Sequence, residues 1–174
     1  MFWLKLVANF IKILREGQTP AQVAGGFALG SILGLSPMLT LQGLIVWLVI
    51  LVLDVNLSAA TLSLLIFSLF AFIFDPLFHH LGYYLLVDIE GLKDVWMALY
   101  NAPIAPLTRF NNTVVIGSFV SALIFFPLVY IGMKKFVIAY RTTVDARIEK
   151  MKIYQVISKS WIVQTYQRIR GMGV

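Results

Sequence analysis

Long uncharged apolar runs, broken by proline-headed turns, set the pattern of this chain. No Asp, Glu, Lys or Arg occurs between Gly17 and Leu53. Thr19-Pro20 reads as an N-cap followed by proline at the first helical position, and Ser36-Pro37 repeats that signature for a second helix running to Leu53. Gly34 supplies a candidate left-handed C-terminal residue for the first arm. The region 19–53 is therefore predicted to be an apolar hairpin with a very short turn. Each arm is about 24 Å long, less than the about 30 Å hydrocarbon thickness of a bilayer. A re-entrant hairpin is expected, because the tip carries neither charge nor interfacial Trp or Tyr; two thin crossings are the other arrangement of this length.

Further along, Asp54, Asn56 and Ser58 are candidate caps for a helix over 57–74, which is uncharged and long enough for one crossing. Asp75-Pro76 is a third cap-plus-proline signature and predicts a break. Residues 76–108 then read as an outer-face interfacial segment, with Leu92, Val95, Trp96 and Leu99 at helical spacing. A second crossing is predicted over 110–133, closed by Lys134 and Lys135. Before the hairpin, 1–16 has the stripe of an interfacial helix, uncleaved because Lys12 and Arg15 interrupt its apolar part. After the last span, 136–174 reads as a basic amphipathic helix. The predicted fold class is all-α: a polytopic helical membrane protein with one membrane domain, 1–135, and a cytoplasmic helical tail.

Composition agrees with this pattern. The chain is 60% hydrophobic and 13% charged, with a mean hydropathy of +0.87, too apolar for a soluble domain, in which about a quarter of residues are charged. Three Lys/Arg residues precede the hairpin, two lie in the central loop and nine follow the last span. That bias predicts cytoplasmic N- and C-termini. The net charge of +6 comes mainly from the tail, so it points to anionic lipid headgroups, with Lys134, Lys135 and Arg141 as first contacts, and not to nucleic acid. With no cysteine, thiolate metal sites, disulfides and cysteine nucleophiles are excluded.

Three groups of residues carry candidate roles. Gly26, Gly30 and Gly34 recur every fourth position, so they share one helix face and permit close approach of a second backbone: the other arm, another helix of the chain or another protein. Ser36, Thr40 and Gln42 form a polar spot at the hairpin tip, either a ligand or headgroup contact or a set of hydrogen bonds holding the arms together. Asp75, His79 and His80 form a polar interfacial cluster. A proton relay or metal site is conceivable there, but capping by Asp75 explains it with the residues present, and too few ligands are nearby for zinc. No nucleophile–base pair, phosphate loop or catalytic carboxylate pair can be assembled. No enzymatic activity, catalytic residue, cofactor or metal is expected.

The segment G26-F-A-L-G30, Gly34, Pro37 and Gln42-Gly43, followed by Asp75-Pro76 and Leu81-Gly82, resembles a bacterial inner-membrane protein family of unknown function marked by a Gly/Pro-rich hairpin. The resemblance covers about residues 10 to 135 and implies a small inner-membrane protein, some relatives of which work beside larger envelope proteins. Two functions follow as expectations. One is a non-enzymatic subunit that binds a larger envelope protein through its glycine seam and outer-face helix, in phospholipid transport or envelope maintenance. The other is a self-sufficient transporter or lipid scramblase acting as a homo-oligomer. Membrane lipids are expected partners of both.

Overall fold

A computed structural model of the chain describes residues 18–145. The interfacial helix expected over 1–16 and most of the basic helix expected over 136–174 lie outside the described residues. The elements are α1 (Pro20–Leu35), α2 (Leu41–Val52), α3 (Leu57–Tyr83), α4 (Lys93–Tyr100) and α5 (Thr113–Ala139). A π-helical turn, Tyr84–Asp88, and two 3-10 turns, Glu90–Leu92 and Ala105–Thr108, link them. No strand occurs among the described residues, and the fold is all-α. The apolar stretches Leu57–Asp88 and Thr113–Thr143 are each long and apolar enough to cross a membrane.

The chain divides into two compact units, 1–137 and 138–174. Of the second, only 138–145 are described; there Thr142 Oγ1 donates to the Ile138 and Ala139 carbonyls, at 3.1 and 3.2 Å. All that follows concerns the first unit.

α1 begins as its sequence predicts. Thr19 and Gln22 form a reciprocal capping box, the Gln22 N–H donating to Thr19 Oγ1 at 3.2 Å and the Thr19 N–H to Gln22 Oε1 at 2.8 Å, with Pro20 at the first helical position. The turn at the other end departs from expectation. Ser36 is the C-cap of α1, its hydroxyl donating back to the Ile32 carbonyl at 2.7 Å. α2 starts only at Leu41, capped by Thr40, whose Oγ1 accepts the Gly43 N–H. Ser36-Pro37 is thus an exit from one helix and not the start of the next. Gly34 is helical as well; no glycine among the described residues has a positive φ.

α3 runs unbroken through Asp75 and Pro76, which corrects the end expected at residue 74 and the start expected at residue 76 for the segment that follows. Its start is capped by Asn56, whose Oδ1 accepts the Ala59 N–H at 2.6 Å. α5 starts three residues later than expected because Asn112 Oδ1 accepts the Val115 N–H at 3.1 Å as a cap. It continues past Lys134 and Lys135, since charge alone gives a helix no reason to stop.

α3 is the centre of the bundle. Its first half packs on α1 and its second half on α5, and the core runs from Leu29, Ile32 and Leu33 of α1 through Ala60 and Phe78 of α3 to Ala122 of α5. α2 folds down beside α1 and contributes Val46 and Ile50. The outward faces are apolar too: Leu39, Val52 and Phe72 are each more than 80% exposed. Soluble monomers rarely leave such a surface uncovered.

Candidate functional site

The glycine face of α1 meets α3. A Cβ built on Gly26 would stand 2.2 Å from the Asn56 carbonyl oxygen, one on Gly30 would stand 2.1 Å from that of Ala60, and one on Gly34 would meet Leu64 and Phe67 at 2.7 Å. Partner positions advance together, 26 with 56, 30 with 60, 34 with 64, so α1 and α3 run parallel in close backbone contact. The seam is filled by a helix of its own chain and not by the second arm. A second seam, which no spacing along the chain announces, joins α3 to α5: a Cβ on Gly82 would meet the Thr113 carbonyl oxygen at 1.8 Å, and one on Gly117 that of Phe78 at 1.9 Å. Here the positions run oppositely, so α5 is antiparallel to α3. The two glycines give no signal in sequence because they lie on different helices, one in each.

The base of the hairpin is tied by amide side chains. Gln22 Nε2 donates to Asp54 Oδ2 at 2.6 Å, Asn56 Nδ2 donates to Gln18 Oε1 at 2.5 Å, and the Asn56 N–H donates to the Gln22 carbonyl at 3.0 Å. At the tip, the three expected polar residues do not converge. Ser36 and Thr40 spend their hydroxyls on local backbone, Thr40 Oγ1 also donating to the Pro37 carbonyl at 2.8 Å. Gln42 Oε1 is buried without a hydrogen-bond partner among the described residues. Gly43 makes room for the turn itself. The Met38 carbonyl lies where its Cβ would be, at 2.4 Å, so the tip can fold onto α2 only at a glycine.

The Asp75–His79–His80 group does not act as one cluster. His79 Nδ1 is 2.7 Å from Thr113 Oγ1 across the α3–α5 junction, and His80 Nδ1 is 2.6 Å from the Pro76 carbonyl. Asp75 instead lines a recess of about 280 Å³ with Gly34, Leu35, Ser36, Phe72 and Val114. It neither caps a helix nor makes a hydrogen bond or ion pair among the described residues. No group of three or more His, Cys, Asp or Glu able to hold a metal occurs among the described residues. Of the three basic residues expected at headgroups, Lys134 lies with Nζ 5.9 Å from the centre of the Tyr130 ring.

Two larger recesses flank the tip. An almost wholly apolar groove of about 490 Å³ runs between the end of α1, α3 and α5, lined by Leu35, Phe70, Phe74, Leu77, Ser121 and Phe125 among others. A second, of about 650 Å³, separates the tip residues Met38 to Leu41 and Trp47 from Pro106 and Arg109 in the connection 89–112 between α3 and α5. Arg109 is the single non-glycine residue with positive φ (54°) among the described residues, closing the 3-10 turn Ala105–Thr108. Trp96 ties the connection 89–112 together, donating Nε1–H to the Leu85 carbonyl at 3.0 Å and stacking on Phe110 at 5.8 Å.

Fold and site together define a small all-α protein: a glycine-seamed helical hairpin locked onto two antiparallel helices of membrane-crossing length. The chain belongs to the bacterial family described as "Uncharacterized protein conserved in bacteria (DUF2062)", which it matches over residues 5–144. It is also similar to a protein of Treponema pallidum (strain Nichols) described as an uncharacterized protein, with 27% identity over 154 residues, covering 88% of this chain and 94% of the other. No solved structure matches.

Proposed function

We propose that this is a non-enzymatic, multi-pass protein of the bacterial inner membrane, with cytoplasmic termini, that holds phospholipid in its apolar groove and hands it to, or receives it from, a larger envelope protein. The observation that carries the reading is the groove itself. Its volume of about 490 Å³ falls in the about 300–1,000 Å³ range of small-molecule sites. Its walls are aromatic and aliphatic and offer an acyl chain contact on three helices, with little polar surface to reject it. The arms α1 and α2, 16 and 12 residues, are each shorter than the about 30 Å hydrocarbon thickness, which supports a re-entrant hairpin.

The glycine seam offers no surface for the partner, because α3 occupies it. That favours a second reading, a self-contained homo-oligomeric transporter or scramblase, more than the sequence does. Mass spectrometry of the full-length protein, released gently from the membrane, tests both. The first reading expects retained phospholipid and a co-purifying envelope protein. Leu77→Trp, which fills the groove from a position 63% exposed, should lower the retained lipid. Unchanged lipid in that variant refutes the groove, and recovery of a homo-oligomer alone, able to move lipid between vesicle leaflets, refutes the subunit role.

A further inference from the structure

Asp75 is placed where a lone carboxylate is expensive. Gly82 against Thr113 and Gly117 against Phe78 set the register of α3 on α5. Counting helical positions from these pairs puts Thr113, the first residue of α5, level with Gly82 and Lys134 level with about residue 61 of α3. A hydrocarbon layer of about 30 Å takes about 20 helical residues. Every such window between those two levels contains Asp75. If α3 crosses a bilayer, as the proposed function requires, this carboxylate lies inside it.

The groups around Asp75 are electron-rich. Pro76 has no N–H to give, so the carbonyl of Phe72, four residues earlier and a wall of the same recess, loses its helical donor. The recess is closed on its other side by Gly34, Leu35 and Ser36 at the C-terminal end of α1. There the Ser36 N–H serves the Ile32 carbonyl, Pro37 has no N–H for the Leu33 carbonyl, and the following carbonyls face the negative end of the helix dipole. No Lys or Arg lies between residues 17 and 92. The one titratable neighbour a turn further along α3, His79, is engaged with Thr113, and α1 and the first four turns of α5 carry no ionisable side chain.

We propose that Asp75, the Phe72 carbonyl released by Pro76 and the carbonyl end of α1 form a binding site for one small monovalent cation, sodium or potassium, beside the hairpin tip. Oxygen-only ligands select a hard cation. One carboxylate makes the site neutral with a monovalent ion, whereas a divalent ion would leave net charge in the hydrocarbon. Broken-helix carbonyls and helix C-termini are the groups that membrane proteins use for such ions.

Purified full-length protein in detergent tests this by thermal unfolding at constant ionic strength, with sodium, potassium or choline chloride. The melting temperature should rise saturably with sodium or potassium and not with choline. Asp75→Asn should lose the rise, and Asp54→Asn, at the other end of α3, should keep it. Pro76→Ala gives Phe72 a helical donor again, so it should stabilise the ion-free protein yet weaken ion binding about tenfold. Direct binding of radiolabelled sodium and rubidium to wild type and Pro76→Ala decides the matter even if Asp75→Asn fails to fold. No saturable response to either metal ion, an equal response in Asp75→Asn, or a response to protons alone overturns the site, and none of these bears on lipid retention in the groove.

Discussion

Adding a single methyl group at Gly30 is the sharpest perturbation of the α1–α3 contact. An alanine Cβ there would sit 2.1 Å from the Ala60 carbonyl oxygen and 2.8 Å from the Ala60 Cα and carbonyl carbon. All three are backbone atoms, so no rotamer change relieves the clash. The helices must part by more than about 1 Å to restore ordinary contact distances, and Val23, Ala24 and Ala28, all fully buried, loosen with them. Overpacking of this kind typically costs about 1–3 kcal/mol, offset by about 1 kcal/mol from the better helix propensity of alanine. Because the clash is with backbone atoms, the upper part of that cost applies, and a net loss of up to about 2 kcal/mol is expected. Gly132→Ala is the matched control: nothing stands within 4 Å of a Cβ there, so propensity alone acts and the protein should gain up to about 1 kcal/mol. Gly25→Ala should fall between, because its contact is the end of a side chain, Val55 Cγ1 at 3.1 Å. Tryptophan fluorescence during thermal unfolding in one detergent ranks the three. Equal melting temperatures for Gly30→Ala and wild type, or equal damage from Gly132→Ala, would refute the reasoning.

Other perturbations follow from the same structure. Gly82→Ala should be at least as harmful as Gly30→Ala, because its Cβ would meet the Thr113 carbonyl oxygen at 1.8 Å; cross-linking between introduced cysteines on α3 and α5 should drop with it. Asn56→Ala removes the α3 cap and the link to Gln18, from a residue 2% exposed, and should lower stability by about 1–2 kcal/mol in the same unfolding assay. Trp96→Phe keeps the ring and loses the bond to Leu85; faster hydrogen exchange over 84–110 with α1 protection unchanged is expected.

The helices are legible in sequence where their signals are local. Thr19 with Pro20 and Gln22 carries a complete capping box, and α1 begins where that box puts it. A four-residue glycine repeat also has only one geometric meaning on a helix, a face open to close approach. Which backbone fills that face is a long-range fact, however, and only the register of Asn56, Ala60 and Leu64 along α3 supplies it. Gly82 and Gly117 show the limit more clearly: neither has a second glycine three or four residues away in its helix, and their relation exists only once α3 and α5 lie side by side.

Asp75-Pro76 marks where a local rule is overridden. Asp before Pro is a favourable helix start, and the same two residues occur here in the interior of α3, where proline removes a hydrogen bond and disfavours the helical conformation of the residue before it. Phe78 and Gly82, close beyond the proline, are buried against Gly117 and Thr113 of α5. A break at Asp75 would pull both out of that seam, so tertiary contact on the far side of the proline keeps the helix continuous through it. The same continuity turns a residue that reads as a helix cap into a partly exposed carboxylate lining the recess beside the hairpin tip. It also puts an ionisable group inside an apolar helix that counts as charge-free only if it stops at residue 74, and the proposed cation site rests on that placement.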